Sequence, residues 1–520
     1  SIWSVSTGWD KNRKVYMEFG IDYNRTFGLH KTTALILYNQ SKYYSPSLQY
    51  YVPNAYQGLV GRLTYEYASR YLAEFNMGYN GTENFAKGKR FGFFPAVSLG
   101  WVISEEKFFP KNNIVKYLKV RGSYGEVGND QIGGDRFLYL PSSYGAASDS
   151  GVNKYNFGLA SNPYTSLMIV ENKIGNPDLT WEKAKKMNVG VDINLFNNCL
   201  TASFDIFKEK RNNILANRST SPMIIGANLP AYNFGEMENR GWEMDLNFRH
   251  HIQDFHYWAR FNYSFARNEI IYMDEVQKRY DYQMTTGRRK NQFFGLIFDG
   301  YYNSWEEINA LDRPKSSWSG NQLQPGDVKY VDVNQDGVID DYDMVPIGYT
   351  PVPEIIYGFS FGAQYKGFDF SILFQGADNV SIKYFGRSMW PFAKGEESAK
   401  SLIKERWTQE RYEAGEKITF PRLSLNPNGE TDHNYRPSTL WIRDASYLRL
   451  KNLEVGYTFT GGFVKRLNLN SVRLYFNGSN LFTWTDVVDL DPEAPSRSGN
   501  VEINTYPLQK VYNIGLNINF

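Results

Sequence analysis

Residues 188–206 read Asn188-Val189-Gly190-Val191-Asp192-Ile193-Asn194-Leu195-Phe196-Asn197-Asn198-Cys199-Leu200-Thr201-Ala202-Ser203-Phe204-Asp205-Ile206. Val189, Val191, Ile193 and Leu195 alternate with Asn188, Gly190, Asp192 and Asn194. After Asn197-Asn198 the pattern resumes, with Leu200, Ala202, Phe204 and Ile206 on one face and Thr201, Ser203 and Asp205 on the other. An extended chain sends successive side chains to opposite faces. This period therefore predicts two antiparallel strands, each with one apolar and one polar face. The Asn pair suits the positive-φ positions of a tight hairpin turn. The same alternation recurs at Val472, Leu474 and Phe476, and at Ile514, Leu516, Ile518 and Phe520.

Composition narrows what these strands belong to. The 520 residues carry 57 Lys+Arg against 55 Asp+Glu, a near-neutral balance that argues against a nucleic-acid partner. A single cysteine, Cys199, excludes a disulfide framework and a cysteine-based zinc site, and reads as a small apolar strand residue. Aromatics reach 17% and mean hydropathy is −0.51. A spanning helix needs about 20 consecutive apolar residues. The best stretch, Phe91–Ser104, is too short and contains Gly92, Pro95 and Gly100. A β-barrel remains, because its strands alternate and average to modest hydropathy, with polar outer loops diluting the rest.

Connection lengths support the barrel. Short turns at Gly28–His30, Ala68–Arg70, Asn197-Asn198 and Lys366-Gly367 alternate with long segments at 43–56, 83–90, 128–177, 213–234, 271–352, 381–439 and 485–505. Short periplasmic turns and long extracellular loops are the outer-membrane pattern. Labelled backwards from an inward-running last strand, the chain gives about 15 strands and assigns all of 271–352, including the strand-like Phe293–Tyr302, to one outer excursion. Bacterial single-chain barrels have even strand numbers, so the chain is expected to lack N-terminal strands. A phase slip between Leu450 and Leu453 predicts a β-bulge near Lys451-Asn452. Ala399, Leu402, Ile403 and Trp407 have helical spacing within the 381–439 loop and are expected to pack locally.

Three segments carry a resemblance. They are Gly175-Asn176-Pro177-Asp178-Leu179-Thr180-Trp181-Glu182-Lys183 with Asn188–Asp192, Ser438–Tyr457 with its Leu440-Trp441-Ile442-Arg443-Asp444 start, and Leu63–Gly100 with Arg70–Phe75 and Phe91–Ala96. The terminal Asn513, Gly515, Ile518 and Phe520 fit the signal by which bacterial barrels are recognised for insertion. Together these resemble the SusC/RagA family of TonB-dependent outer-membrane transporters of Bacteroidetes, over residues 55–520. The resemblance implies an all-β, transmembrane antiparallel barrel of about 22 strands, of which residues 1–520 are a C-terminal portion. The plug domain, its TonB box and the first strands are expected outside this chain. It further implies a multi-pass outer-membrane location, a SusD-like surface lipoprotein as lid, energy from the TonB complex, and oligosaccharide import without covalent chemistry. Import of oligopeptides by the same architecture is the alternative. A secreted β-rich carbohydrate-binding protein or esterase is more distant, since no catalytic pair or second cysteine appears.

Several motifs bear on sites. Asp332-Val333-Asn334-Gln335-Asp336-Gly337-Val338-Ile339-Asp340-Asp341-Tyr342-Asp343 matches the EF-hand calcium loop. Asp332, Asn334, Asp336, Asp340 and Asp343 supply oxygens, Val338 its carbonyl, and Gly337 the sharp turn. A structural Ca2+ is expected there, with Asp in place of the usual final Glu. Gly358-Phe359-Ser360-Phe361-Gly362 fits a nucleophile elbow in letters, but the alternation runs on through Tyr365, so a strand is expected. His30, His250, His251, His256 and His433 show no metal-protease spacing. Tyr65, Tyr67, Tyr71, Tyr79, Tyr457 and Trp484 are candidates for interfacial girdles. Trp305, Trp318 and Trp390, in long outer loops, are candidate sugar-stacking residues, with loop packing as the alternative.

Overall fold

A computed structural model describes residues 11–48, 51–131, 136–140, 145–146, 154–159, 164–167, 169–170, 174–220, 229–318, 323–384, 389–392, 401–424, 432–493, 500–501 and 507–520. Fifteen strands form one sheet in strict sequence order. They are β1 Arg13–Phe27, β2 His30–Tyr44, β3 Asn54–Tyr67, β4 Tyr71–Thr82, β5 Phe91–Val102, β6 Val115–Asn129, β7 Glu182–Leu195, β8 Leu200–Ala216, β9 Tyr232–Ile252, β10 Phe255–Tyr272, β11 Ile355–Tyr365, β12 Phe368–Asp378, β13 Tyr447–Phe459, β14 Ser471–Thr485 and β15 Val511–Asn519. The ladders along β1–β6 and β10–β15 are antiparallel, and β1 and β15 are the edges of the sheet. The chain divides into two compact units, one of Ser1–Ile193, Asp205–Arg240 and Ile270–Val276, the other of Asn194–Phe204, Gly241–Glu269 and Gln277–Phe520.

The alternation fixes which side chains share a face. In the first unit Tyr38, Leu59, Tyr79 and Phe93 follow one another across successive ladders. In the second, Phe370 meets Val455, Val455 meets Phe476, and Phe476 meets Ile514. These apolar faces are open: Phe93, Leu99, Leu474 and Leu516 are all exposed. A water-soluble sandwich would cover such a face; a membrane barrel turns it to lipid. Of the girdle candidates, Tyr65, Tyr71, Tyr79, Tyr457 and Trp484 are exposed and Tyr67 is half-buried.

Some boundaries differ from expectation. β9 is 21 residues long and β8 is 17, whereas crossing the bilayer takes about 9–11. The outward face of β8 shows why: above Phe204 and Ile206 it carries Lys208 and Lys210, which pair at 2.9 Å with Glu238 and Glu236. Charge ends the apolar band, and hydrogen bonding carries the strands on. Two short-end connections contain structure of their own, a 3-10 turn at Ile103–Glu105 and a helix at Gly462–Arg466. The β7–β8 turn begins one residue early, with Phe196, Asn197 and Asn198 all at positive φ.

The bulge is present. Leu450 faces Phe374, and Asn452 faces Leu373, leaving Lys451 extra. The 273–354 connection is one excursion. Within it Phe298–Tyr301 pairs with Val328–Tyr330 rather than joining the main sheet.

The packed core sits in the long loops, not between layers. In the second unit Leu296, Val328, Tyr384, Trp407, Phe420 and Trp441 belong to one buried cluster. In the first, Phe85, Phe94, Leu138, Leu179 and Trp181 form a smaller one. The outer loops, polar on average, are therefore folded modules with buried apolar cores. The helical spacing at 399–407 becomes a 3-10 segment Ser401–Glu405 and a helix Gln409–Glu413. Ile403 and Trp407 pack on the loop core, while Ala399 lies outside the described residues.

Candidate functional site

Two surfaces offer chemistry: the polar strand face, which lines the interior of a barrel, and the loop modules above it. On the polar face of the first unit, Arg121 of β6 reaches Asp192 Oδ2 at 3.1 Å and Asp205 Oδ2 at 2.6 Å. Gly190 lies beneath this cluster, where a Cβ would stand 2.5 Å from Asp205 Oδ1 and 2.7 Å from Arg121 Cζ. The second unit repeats the arrangement. Arg473 of β14 donates to Asp369 and, at 2.6 Å, to Glu454, above Gly456. Both arginines are held by two carboxylates, which fixes their guanidinium planes toward the aqueous side. Beside Arg121 is a recess of about 420 Å3 lined by Lys31, Glu66, Glu74 and Lys119. Its mixed charges and hydroxyls suit a neutral, hydrogen-bonding solute.

The bulge places two basic groups on this same face. Arg449 donates to Asp491 Oδ1 at 2.6 Å and to Glu493 at 3.2 Å, and Lys451 Nζ reaches Glu493 at 2.9 Å. Thus Asp491 and Glu493, which follow β14, are tied to the strand wall. At the base of the 273–354 loop, Glu354 is almost fully buried and accepts from Arg267 at 3.0 and 2.8 Å, from Arg289, and from Asn379 at 3.2 Å. Burial pushes its carboxyl up, but the two guanidiniums outweigh burial and hold it below the usual carboxylate range.

The second loop module turns on a polar hub that sequence spacing did not reveal. Asp327 Oδ1 accepts from Arg422 Nε at 2.6 Å and from Asn434 Nδ2 at 2.8 Å; Asn434 Oδ1 accepts from the Val328 amide at 2.8 Å. His433 bonds through Nε2 to the Val328 carbonyl and through Nδ1 to Ser316 Oγ, both at 2.7 Å. Burial lowers the His433 pKa. The Ser316–His433 pair is not a hydrolase dyad. The ring is only 5% exposed, and its second nitrogen bonds a backbone carbonyl rather than a carboxylate.

The sequence candidates fall in different places. Trp318 and Trp390 pack against the loop core; Arg436 lies 4.6 Å over the Trp318 ring, and Trp390 stands 4.8 Å from Tyr435. Trp305 is the first residue of a short helix capped by Ser304, and it is half exposed. Ser360 lies within β11, among ladder residues. His251 and His256 rings are 5.5 Å apart at the β9–β10 turn. Asn513 Nδ2 donates to Asn477 at 2.9 Å, Gly515 makes room for the Tyr475 ring, and Ile518 on the edge strand and Phe520 just after it are exposed.

The Asp332–Asp343 loop closes on its own amides. Asp332 accepts from Gln335 and Gly337 at 2.7 and 2.8 Å, and Asp343 from Val333 and Asp340 at 2.8 and 2.9 Å. Gly337 sits at φ +79°. Among the described residues no three acidic or imidazole groups converge closely enough to hold a metal. The donor chemistry fits a hard cation, since every side chain at the expected positions offers oxygen. Asp336 and Asp340 accept the Val338 and Tyr342 amides through Oδ1, and their carboxylates keep further lone pairs that a cation would take.

Comparison with known proteins adds three findings. The family model described as TonB dependent receptor-like, beta-barrel matches residues 2–481. Curated relatives include TonB-dependent receptor P3 of Formosa agariphila, 28% identical over 88% of this chain and 45% of its own, and TonB-dependent receptor SusC of Bacteroides thetaiotaomicron, 28% identical over 91% and 44%. The chain thus spans about half the length of the curated relatives it matches. Among solved structures, the RagAB peptide transporter superposes with a TM-score of 0.72 over 98% of this chain and 56% of that one, at 23% identity, a likeness of fold.

Proposed function

The chain belongs to the TonB-dependent receptor-like β-barrel family, and we propose that it forms most of the wall and outer loops of an outer-membrane importer of oligosaccharides. Its family is one of transporters, not enzymes, and its place is the bacterial outer membrane. The observation that carries the reading is a sheet with one face of exposed apolar side chains, one face of fixed charge and hydroxyl groups, and folded modules in its long loops. Solute binds between the polar wall and the loops. A plug outside this chain gates passage and contacts the TonB complex, and a SusD-like surface lipoprotein closes over the loops. The mechanism is binding and gating.

Oligosaccharide is favoured by the recess beside Arg121, whose lining mixes opposite charges with the hydroxyls of Thr33, Thr64, Ser98 and Ser123, and by Trp305, an exposed aromatic face on a long loop. The peptide alternative draws on the RagAB likeness, which at 23% identity is one of fold. Deleting the gene tests both. Loss of growth on a glycan, with growth on peptides intact, supports the first; the reverse pattern supports the second.

We also infer that the Asp332–Asp343 loop takes one Ca2+, with Asp332, Asn334, Asp336, Asp340 and Asp343 as side-chain ligands and the Val338 carbonyl completing the set. The ion would stiffen a loop whose Val338–Ile339 segment pairs with Lys315–Ser316.

A further inference from the structure

The β5–β6 connection, residues 103–114, lies at the short-turn end of the sheet, which in an outer-membrane barrel faces the periplasm. It is unusual in what it exposes. Phe108 and Ile114 are 69% and 59% exposed, beside the exposed Lys107, Lys111 and Lys116, which outnumber the exposed Glu105. The connection is nonetheless shaped. Arg70 pairs with Glu106 at 3.2 Å, Trp101 Nε1 donates to Glu106 at 3.1 Å, and Asn112 Oδ1 accepts from the Ile114 and Val115 amides at 2.8 Å. Lys116 Nζ bonds the neutral Asn113 at 3.0 Å.

This turn adjoins a depression in the apolar face. Ala73, Leu99 and Gly122 follow one another across three strands. The small residues on either side of Leu99 open a groove of about 610 Å3, walled by Tyr65, Tyr71, Trp101 and Val120. Trp101 links groove to turn, its ring 6.4 Å from that of Phe108. Apolar walls, two interfacial aromatics and a basic rim occur in the order that a phospholipid presents its chains, glycerol region and headgroup.

We infer that this groove and turn hold one anionic phospholipid of the periplasmic leaflet. An acyl chain lies over Ala73 and Gly122, and the phosphate headgroup meets Lys107, Lys111 and Lys116. Charge complementarity selects an anionic over a zwitterionic head, because several lysines act together on one headgroup. The inference rests on the membrane-barrel reading above.

The test uses the full-length protein inserted in nanodiscs of equal phosphatidylglycerol and phosphatidylcholine, then released and weighed by native mass spectrometry. One retained phosphatidylglycerol, favoured over phosphatidylcholine, is expected. Replacing Lys107, Lys111 and Lys116 by Gln should lower that preference by about tenfold or more. Gly122→Leu should reduce retention of either lipid; a Cβ there meets only Asn188 O, at 3.8 Å, so the strand tolerates it. Equal retention of both lipids by the wild type, or an unchanged preference in the lysine variant, overturns the inference. Failure to enter nanodiscs at all would instead count against the barrel.

Discussion

Gly362 of β11 lies directly opposite Trp258 of β10, and the indole occupies the space that a Cβ at 362 would need, within 2.5 Å of Nε1. Gly358 stands likewise opposite Asn262, whose Oδ1 would be 2.7 Å from a Cβ. The Gly-x-Ser-x-Gly letters are thus spaces for large neighbours on the polar face, and the serine between them has no elbow to occupy. Gly362→Leu should cost about 1–3 kcal/mol by overpacking, read as a lower unfolding midpoint of the heat-modifiable barrel on gels. Ser360→Ala should leave both that midpoint and transport unchanged.

Asp327 holds Arg422 and Asn434 in the dry centre of the second loop module. Removing one partner of such a pair leaves an uncompensated charge, so Asp327→Ala should cost about 3–5 kcal/mol. Limited proteolysis should cut the 401–424 segment in the variant before the strands, while the barrel itself remains resistant.

His433 gives the same module a pH dependence. Burial is the main cause of its lowered pKa, the nearby Arg313 and Arg436 act in the same direction, and Asp327 and the Val328 carbonyl oppose them. The folded state thus prefers the neutral ring. Its stabilisation is complete above the unfolded value of about 6.5 and is lost as pH falls below it. Tryptophan fluorescence melts should show the module weakening from pH 7 to 5, and His433→Gln should flatten that dependence.

The Asp332–Asp343 loop predicts a calcium effect. Ca2+ should slow proteolysis near residue 338 and chelator should reverse it, with Asp332→Ala abolishing the difference. Equal cleavage with and without Ca2+ in the wild-type protein would remove the ion from the account.

What was legible in the sequence follows from the range of each interaction. Strand identity depends on neighbours two residues apart, so Val189–Leu195 or Ile514–Phe520 disclose themselves, and even the Lys451 bulge shows as a phase slip. The hub joins positions 316, 327, 422, 433 and 434, brought together only by loop folding, and no local period encodes it. The segments that carried the family resemblance have a physical meaning that spacing alone did not give. Leu179, Trp181 and Trp441 are buried anchors of the two loop cores. Trp318 and Trp390 show the converse, since an aromatic in a loop reads alike whether it meets solute or core.

The central claim is import of oligosaccharide across the outer membrane. Its most direct test is uptake of a fluorescently labelled oligosaccharide mixture by cells carrying the full-length protein, by a deletion strain, and by carrier cells treated with a proton-motive-force uncoupler. The account predicts periplasmic accumulation in the first and background levels in the other two. Equal accumulation in all three, or loss confined to a labelled peptide mixture run in parallel, would contradict it.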